Sequence, residues 1–196
     1  MTSIPVVLVT GASSGIGSAT AALLARRGFR VVGSSRRAPA VSPEGVSWLA
    51  MDVRDEDTVR AGVRRVHVEH GRLDALVCNA GFGIYGAIEE VSMARARAQF
   101  ETNVFGTLAP IRAVLPSMRA AGRGRIVVVG SLAGRAPIPF QGHYSMTKAA
   151  LDALVATLRM EVASFGVHVS LIEPGDIKTA FNDVTDWGDT ATSAYG

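Results

Sequence analysis

Short runs of β-branched and aliphatic residues recur along this chain, each ending on a small or polar residue and followed by apolar positions at helical spacing. Val6 to Thr10 is the first run, and beyond Gly15 the residues Ile16, Ala19, Leu23 and Leu24 turn to helical periodicity. The same alternation predicts strands over 30–34, 48–51, 73–77, 125–129 and 168–172, with helices over 55–70, about 92–120 and about 142–164. The strands show little polar alternation, as parallel strands covered on both faces must. The expectation is a doubly wound parallel α/β sheet in three layers, a single domain spanning residues 1–196. Such sheets bind ligands beyond the carboxyl ends of their strands, which directs attention to the loops there.

The loop after the first strand reads Thr10-Gly11-Ala12-Ser13-Ser14-Gly15-Ile16-Gly17. Its glycines have separate uses. Gly11 permits a tight turn, Gly15 lets backbone approach a phosphate, and Gly17 lets the helix sit close to the strand. Unpaired amides at the start of that helix, with the positive end of its dipole, then face a pyrophosphate. Asp52-Val53 and Asn79-Ala80-Gly81 follow later strands, where their polar groups can meet adenine and ribose. Each also has a plain structural use: Asp52 as a cap for the helix beginning near Asp55, Asn79 as a tie between two loops.

The second strand ends in Ser34-Ser35-Arg36-Arg37. No carboxylate stands there to accept from a ribose 2′-hydroxyl, whereas Ser35 can donate to phosphate oxygens and Arg36 offers a planar fork of donors. Ser13 in the facing turn adds a further donor. The pattern predicts NADP(H) as the preferred cofactor, with NAD(H) as a possible second; solvated loop arginines are the alternative.

Tyr144 and Lys148 stand four apart near the start of a helix, so they share one face. At about 5 Å and an effective dielectric of about 20, the Coulomb term is about 3 kcal/mol, on the order of two pKa units off the phenol. An isolated Tyr-x-x-x-Lys is common in ordinary helices. Ser131 changes the weighing, because it ends the 125–129 strand on the ligand edge, where a hydroxyl can stabilise developing oxyanion charge. Asn103 interrupts an otherwise good helical run of Phe100, Val104 and Leu108, either as a helix irregularity or as a solvated residue.

Composition narrows the picture. The formal charge is +3, and the arginines, eighteen of the twenty cationic residues, are scattered, which argues against nucleic acid. The lone Cys78 forms no internal disulfide, no basic leader precedes the first strand, and no apolar run reaches the roughly 18 residues of a membrane span; the expected location is the cytoplasm. His67, His70 and His168 lack acidic or thiol neighbours at ligand spacing, so no metal is expected. His143 either edges the site or stands in solvent.

Taken in this order, the Thr10 to Gly17 turn, Asn79-Ala80-Gly81, Asn103, Ser131, Tyr144-x-x-x-Lys148 and Pro174-Gly175 resemble the short-chain dehydrogenase/reductase family, with its Rossmann-type fold. The resemblance covers essentially the whole chain. It implies a tetrad of Asn103, Ser131, Tyr144 and Lys148, with Tyr144 as general acid in reduction and base in oxidation. It also implies that Lys148 holds the nicotinamide ribose, that Asn103 holds a water on a proton relay, and that Pro174, Gly175, Ile177 and Thr179 border the nicotinamide. The stretches 79–86 and 136–140 are similar to members acting on steroid-like, retinoid-like and other lipophilic carbonyls. Phe82, Ile84, Ile138, Pro139 and Phe140 are therefore expected around an apolar ketone or secondary alcohol. A homodimer or homotetramer is expected. Relatives continue for another strand and further helices, so the carboxyl-terminal part is expected to be missing. A dinucleotide-binding redox regulator and an inactive fragment remain the alternatives to an enzyme.

Overall fold

The computed structural model describes residues 4–39, 41–177, 181, 185–187 and 194–195. Strands β1 (Val6–Thr10), β2 (Arg30–Ser35), β3 (Val46–Ala50) and β4 (Ala75–Cys78) are followed by a two-residue strand, β5 (Ile84–Tyr85). Then come β6 (Gly124–Val129), β7 (Val167–Ile172) and a second two-residue strand, β8 (Asp186–Trp187). Six of them form one sheet in the order β3-β2-β1-β4-β6-β7, and every pairing in it is parallel. The order reverses at β1, which opens the crevice between β1 and β4. The sequence did not signal the separate parallel pair β5 and β8.

Alternation along β1 sorts the layers. Val6 and Leu8 enter a cluster with Val59, Val63 and Val66 of α2 (Glu56–His70), with Ile111 and Val114 of α4 (Gly106–Ala120), and with Leu151 and Val155 of α5 (Gly142–Val162). Val7 and Val9 face the other way, against Ala21 of α1 (Gly15–Arg26), with Leu24 and Ala25 packed beside it. Every side chain of β1 is buried, which explains why its sequence shows no polar alternation.

The expected helix over 92–120 is divided. Ser92 caps α3 (Met93–Phe100) by accepting from the Arg95 amide, and a π turn over Glu101–Phe105 separates α3 from α4. Asn103 sits in that turn, buried, so it is the irregularity and not a solvated residue. The caps of α2 also correct a reading: Asp55, not Asp52, accepts from the Asp57 and Thr58 amides at its start. Gly71 ends that helix in the left-handed conformation, with φ at 71°.

Candidate active site

Because all six strands run parallel, their carboxyl ends share one edge. That edge carries Gly11 after β1, Ser35 and Arg36 at the end of β2, Asp52 after β3, Asn79 after β4, Ser131 after β6 and Pro174 after β7. One array of side chains fastens the middle of it. The Thr10 hydroxyl accepts from the Asn79 and Ala80 amides at 3.0 and 3.2 Å. The Asn79 carboxamide donates to the Thr10 and Gly11 carbonyls at 3.2 and 3.0 Å. Asn79 is thus the tie between two loops that the sequence offered as one alternative, and its amide group is committed to that use.

The glycine turn has no room for side chains. Gly11 lies at φ +64°, and a Cβ on Gly17 would stand 2.3 Å from the Gly11 carbonyl oxygen and 2.4 Å from the Asn79 amide nitrogen. Gly15 also has positive φ, at 54°, where α1 begins. Ser14, at the cap position, makes no side-chain capping bond, and the first turn of α1 holds no acidic residue. Ser13 and Ser14 are exposed while Gly15 and Ile16 are half-buried. A helix start with two exposed serines beside it, no side-chain cap at Ser14 and no carboxylate in its first turn fits a pyrophosphate.

At the neighbouring strand end Arg36 is exposed and belongs to none of the described ion pairs. The Ser35 hydroxyl donates to the Arg37 carbonyl, so Ser35 braces its own loop in this structure. Asp52 is held by Arg54, whose guanidinium donates to both carboxylate oxygens and, with lesser help from Arg36, keeps the carboxyl below its ordinary pKa. Val53 is buried and its side chain closes on Gly106, leaving only its backbone to face a ligand.

Tyr144 and Lys148 occupy the first turns of α5, as their spacing requires, with the Lys148 ammonium 5.5 Å from the centre of the tyrosine ring. Lys148 Nζ donates to the Val129 carbonyl at 2.8 Å, and burial pulls its pKa down to about 8. The expected lowering of the tyrosine pKa by this lysine is not seen. Burial pushes the phenol up, the Ser131 hydroxyl opposes that through a hydrogen bond, and the ammonium is turned to the end of β6 instead. Ser131 also accepts from the Ala133 amide, and the Pro174 carbonyl accepts from the Leu132 amide, which joins the Ser131 loop to the one after β7. Gly175 and Ile177 continue that second loop in exposed positions. Thr179 lies outside the described residues.

Asn103 engages protein on both sides. Its carboxamide oxygen accepts from the Phe82 amide at 3.0 Å, and its nitrogen donates to the Phe82 carbonyl at 3.0 Å and to the Thr147 hydroxyl at 3.1 Å. Thr147 and the backbone of Phe82 therefore belong to the site's support, a use that the sequence did not signal for either. Gly81 fits the same arrangement, since a Cβ there would stand 3.0 Å from the Asn103 oxygen. His143 is buried, not solvated.

The apolar surround differs from expectation at one residue. Ile84 is 2 % exposed and packs with Val91 and Ala96 beneath the surface, so it borders no ligand. Ile138, Pro139 and Phe140 are exposed, and Phe82 is half-buried. Phe181, which the sequence did not mark, stands 5.8 Å from the Tyr144 ring, centre to centre.

A family model described as short chain dehydrogenase matches residues 5–188. The 3-ketodihydrosphingosine reductase of Bacteroides thetaiotaomicron is 42% identical over 178 residues, which make up 91% of this chain and 66% of that protein. Human 17-beta-hydroxysteroid dehydrogenase type 1 is 40% identical over 191 residues, covering 90% of this chain and 58% of the relative. The chain thus spans less than two thirds of the length of either. Among solved structures, a short-chain dehydrogenase from Streptomyces avermitilis superposes with a TM-score of 0.89 at 36% identity, covering 96% of this chain and 72% of that one. ElxO with NADP bound gives 0.86 at 28% identity, covering 90% and 75%. No helix of the described residues is long and apolar enough to cross a membrane. Matched along nearly its whole length by that family model, and built on the fold of the solved structures, the chain belongs to the short chain dehydrogenase family.

Proposed function

We propose that this chain carries an NADP(H)-dependent oxidoreductase activity that interconverts a ketone and a secondary alcohol on an apolar substrate. The observation that carries the reading is the placing of Tyr144 and Lys148 in the first turns of α5 beside the end of β6: the buried Lys148 ammonium lies 5.5 Å from the centre of the Tyr144 ring and donates to the Val129 carbonyl, two residues before Ser131. The end of β6 and the start of α5 thus meet at one phenol on the ligand edge of the sheet.

NADPH, when bound, would supply the hydride. Gly11, Gly15 and Gly17 with Ser13, Ser14 and the amides of α1 would hold its pyrophosphate, and Arg36 its 2′-phosphate. Tyr144 Oη gives its proton to the substrate oxygen in reduction and takes one back in oxidation. Burial favours the neutral phenol, which is the form able to donate. The Ser131 hydroxyl bonds the same substrate oxygen and stabilises the charge that develops on it. Lys148 would hold the nicotinamide ribose, the role that its resemblance to the family's Tyr-x-x-x-Lys pair implies.

The exposed Ile138, Pro139 and Phe140, with Phe181 over the Tyr144 ring, support an apolar substrate. Similarity to a 3-ketodihydrosphingosine reductase and to a hydroxysteroid dehydrogenase, both named for lipophilic substrates, points the same way. The test is NADPH oxidation against small, aromatic and steroid-like ketones, with Tyr144→Phe as control. The variant should bind NADPH normally and lose at least about 100-fold in turnover. Near-normal turnover in that variant, or a preference for a multiply charged substrate such as a sugar phosphate, would overturn the reading.

A further inference from the structure

We propose that Gln99 is a positioning residue for this reaction: from within α3 it fixes the Phe82 peptide, and through it the carboxamide plane of Asn103. The proposal rests on the reductase reading above.

Gln99 is fully buried, at a helix position where Leu or Met would pack without a polar atom to satisfy. Its Nε2 donates to the Phe82 carbonyl at 3.1 Å, and its Oε1 is buried with no hydrogen-bond partner among the described residues. An unmet acceptor inside a protein is destabilising, so packing does not account for a glutamine here. The donor does. The Phe82 carbonyl receives Gln99 Nε2 and Asn103 Nδ2, while the Phe82 amide donates to Asn103 Oδ1. Both backbone polar groups of Phe82 are thus served by side chains of α3 and the π turn.

From Asn103 the connection continues toward the reacting group. Asn103 Nδ2 also donates to the Thr147 hydroxyl, and that hydroxyl donates to the Tyr144 carbonyl at 2.7 Å. Gln99 on α3 and Asn103 in the π turn that follows it both reach the Phe82 carbonyl. Without Gln99, Phe82 and Asn103 still pair, but the Phe82 carbonyl loses one of the two donors that fix its direction. Small displacements of this kind, remote from the reacting atoms, are enough to slow catalysis.

The experiment compares wild type with Gln99→Met, which keeps length and volume and removes the donor, and with Gln99→Asn, whose amide is one methylene too short to reach. Wild-type turnover of an apolar ketone is measured first. Both variants are then assayed for thermal midpoint, NADPH affinity, kcat, KM and hydrogen exchange of the Phe82 amide. Gln99→Met should melt no lower than wild type and bind NADPH within about threefold, while kcat falls about tenfold at unchanged KM. Exchange at Phe82 should quicken. Turnover retained to within about twofold by Gln99→Met overturns the inference alone. A loss confined to NADPH affinity, or failure of both variants to fold, also overturns it, since Gln99 would then serve the cofactor or the core. A wild type that turns over no ketone overturns the reductase reading, and this inference with it.

Discussion

Replacing Lys148 by methionine removes a charge that the fold holds at a cost, and the cost has a pH signature. Lys148 is 6 % exposed, and burial lowers its pKa from 10.5 to about 8. Below about pH 8 the lysine is protonated in folded and unfolded chains alike, and the penalty is constant. Between about 8 and 10.5 the unfolded chain keeps a proton that the folded chain has released, so stability rises with pH across that window. A separation of about 2.5 pH units corresponds to about 3 kcal/mol, of which about 2 to 3 kcal/mol is recovered between about pH 7 and pH 10. Groups other than Lys148 titrate in both proteins and cancel in the difference, including Tyr144, whose shift comes from burial and Ser131 and not from the ammonium. Urea unfolding of wild type and Lys148→Met across that range measures the quantity directly. Wild type should gain on the variant by about 2 to 3 kcal/mol as pH rises, while the variant is inactive throughout. A difference that stays constant to within about 1 kcal/mol would refute the burial of a charged ammonium.

Two further predictions concern the cofactor side. Gly17→Ala forces a methyl group to within 2.3 Å of the Gly11 carbonyl, so it should destabilise the fold by about 1 to 3 kcal/mol and abolish NADPH binding, as read by thermal melts and fluorescence titration. Unchanged affinity would remove the phosphate role of the turn. Arg36→Ala should erase most of a 30- to 150-fold preference for NADPH over NADH, about 2 to 3 kcal/mol of charge-assisted bonding. Dissociation constants for both cofactors decide it: equal affinities in wild type, or an unchanged ratio in the variant, refute the assignment.

What could be read from the chain was what local pattern encodes. Buried parallel strands carry apolar runs, and β1 is buried at every residue, so the sheet showed itself. The glycine turn lies within one short window after the first strand, and Tyr144 and Lys148 within another, whose spacing gained meaning from Ser131 on the same edge. Boundaries were less legible: β3 begins at Val46, two residues before the apolar run suggested, because Val46 pairs with Val31 at the sheet edge. The two-residue pair β5 and β8 depends on contact across about a hundred residues, and no local signal announces it.

The hydrogen bonds that support the site escaped for a related reason. The supporting roles of Thr10, Phe82, Gln99 and Thr147 come from partners elsewhere in the chain, 69 residues away for Thr10 with Asn79 and 44 for Asn103 with Thr147. A threonine after a strand or a glutamine in a helix has no spacing that distinguishes it. Apart from the family resemblance, Asn103 was visible as a misfit, a poor helix former within an apolar run, and the π turn is the physical answer. An irregular turn carries its side chains off the regular helical positions, which lets Asn103 reach the Phe82 peptide and Thr147 together. Two amides on one peptide, one in the helix and one in the irregular turn, hold the loop after β4 against the helix that bears Tyr144. Reacting groups announce themselves because their chemistry restricts residue type. The groups that aim them need only a hydrogen bond of the right reach, which many sequences can supply.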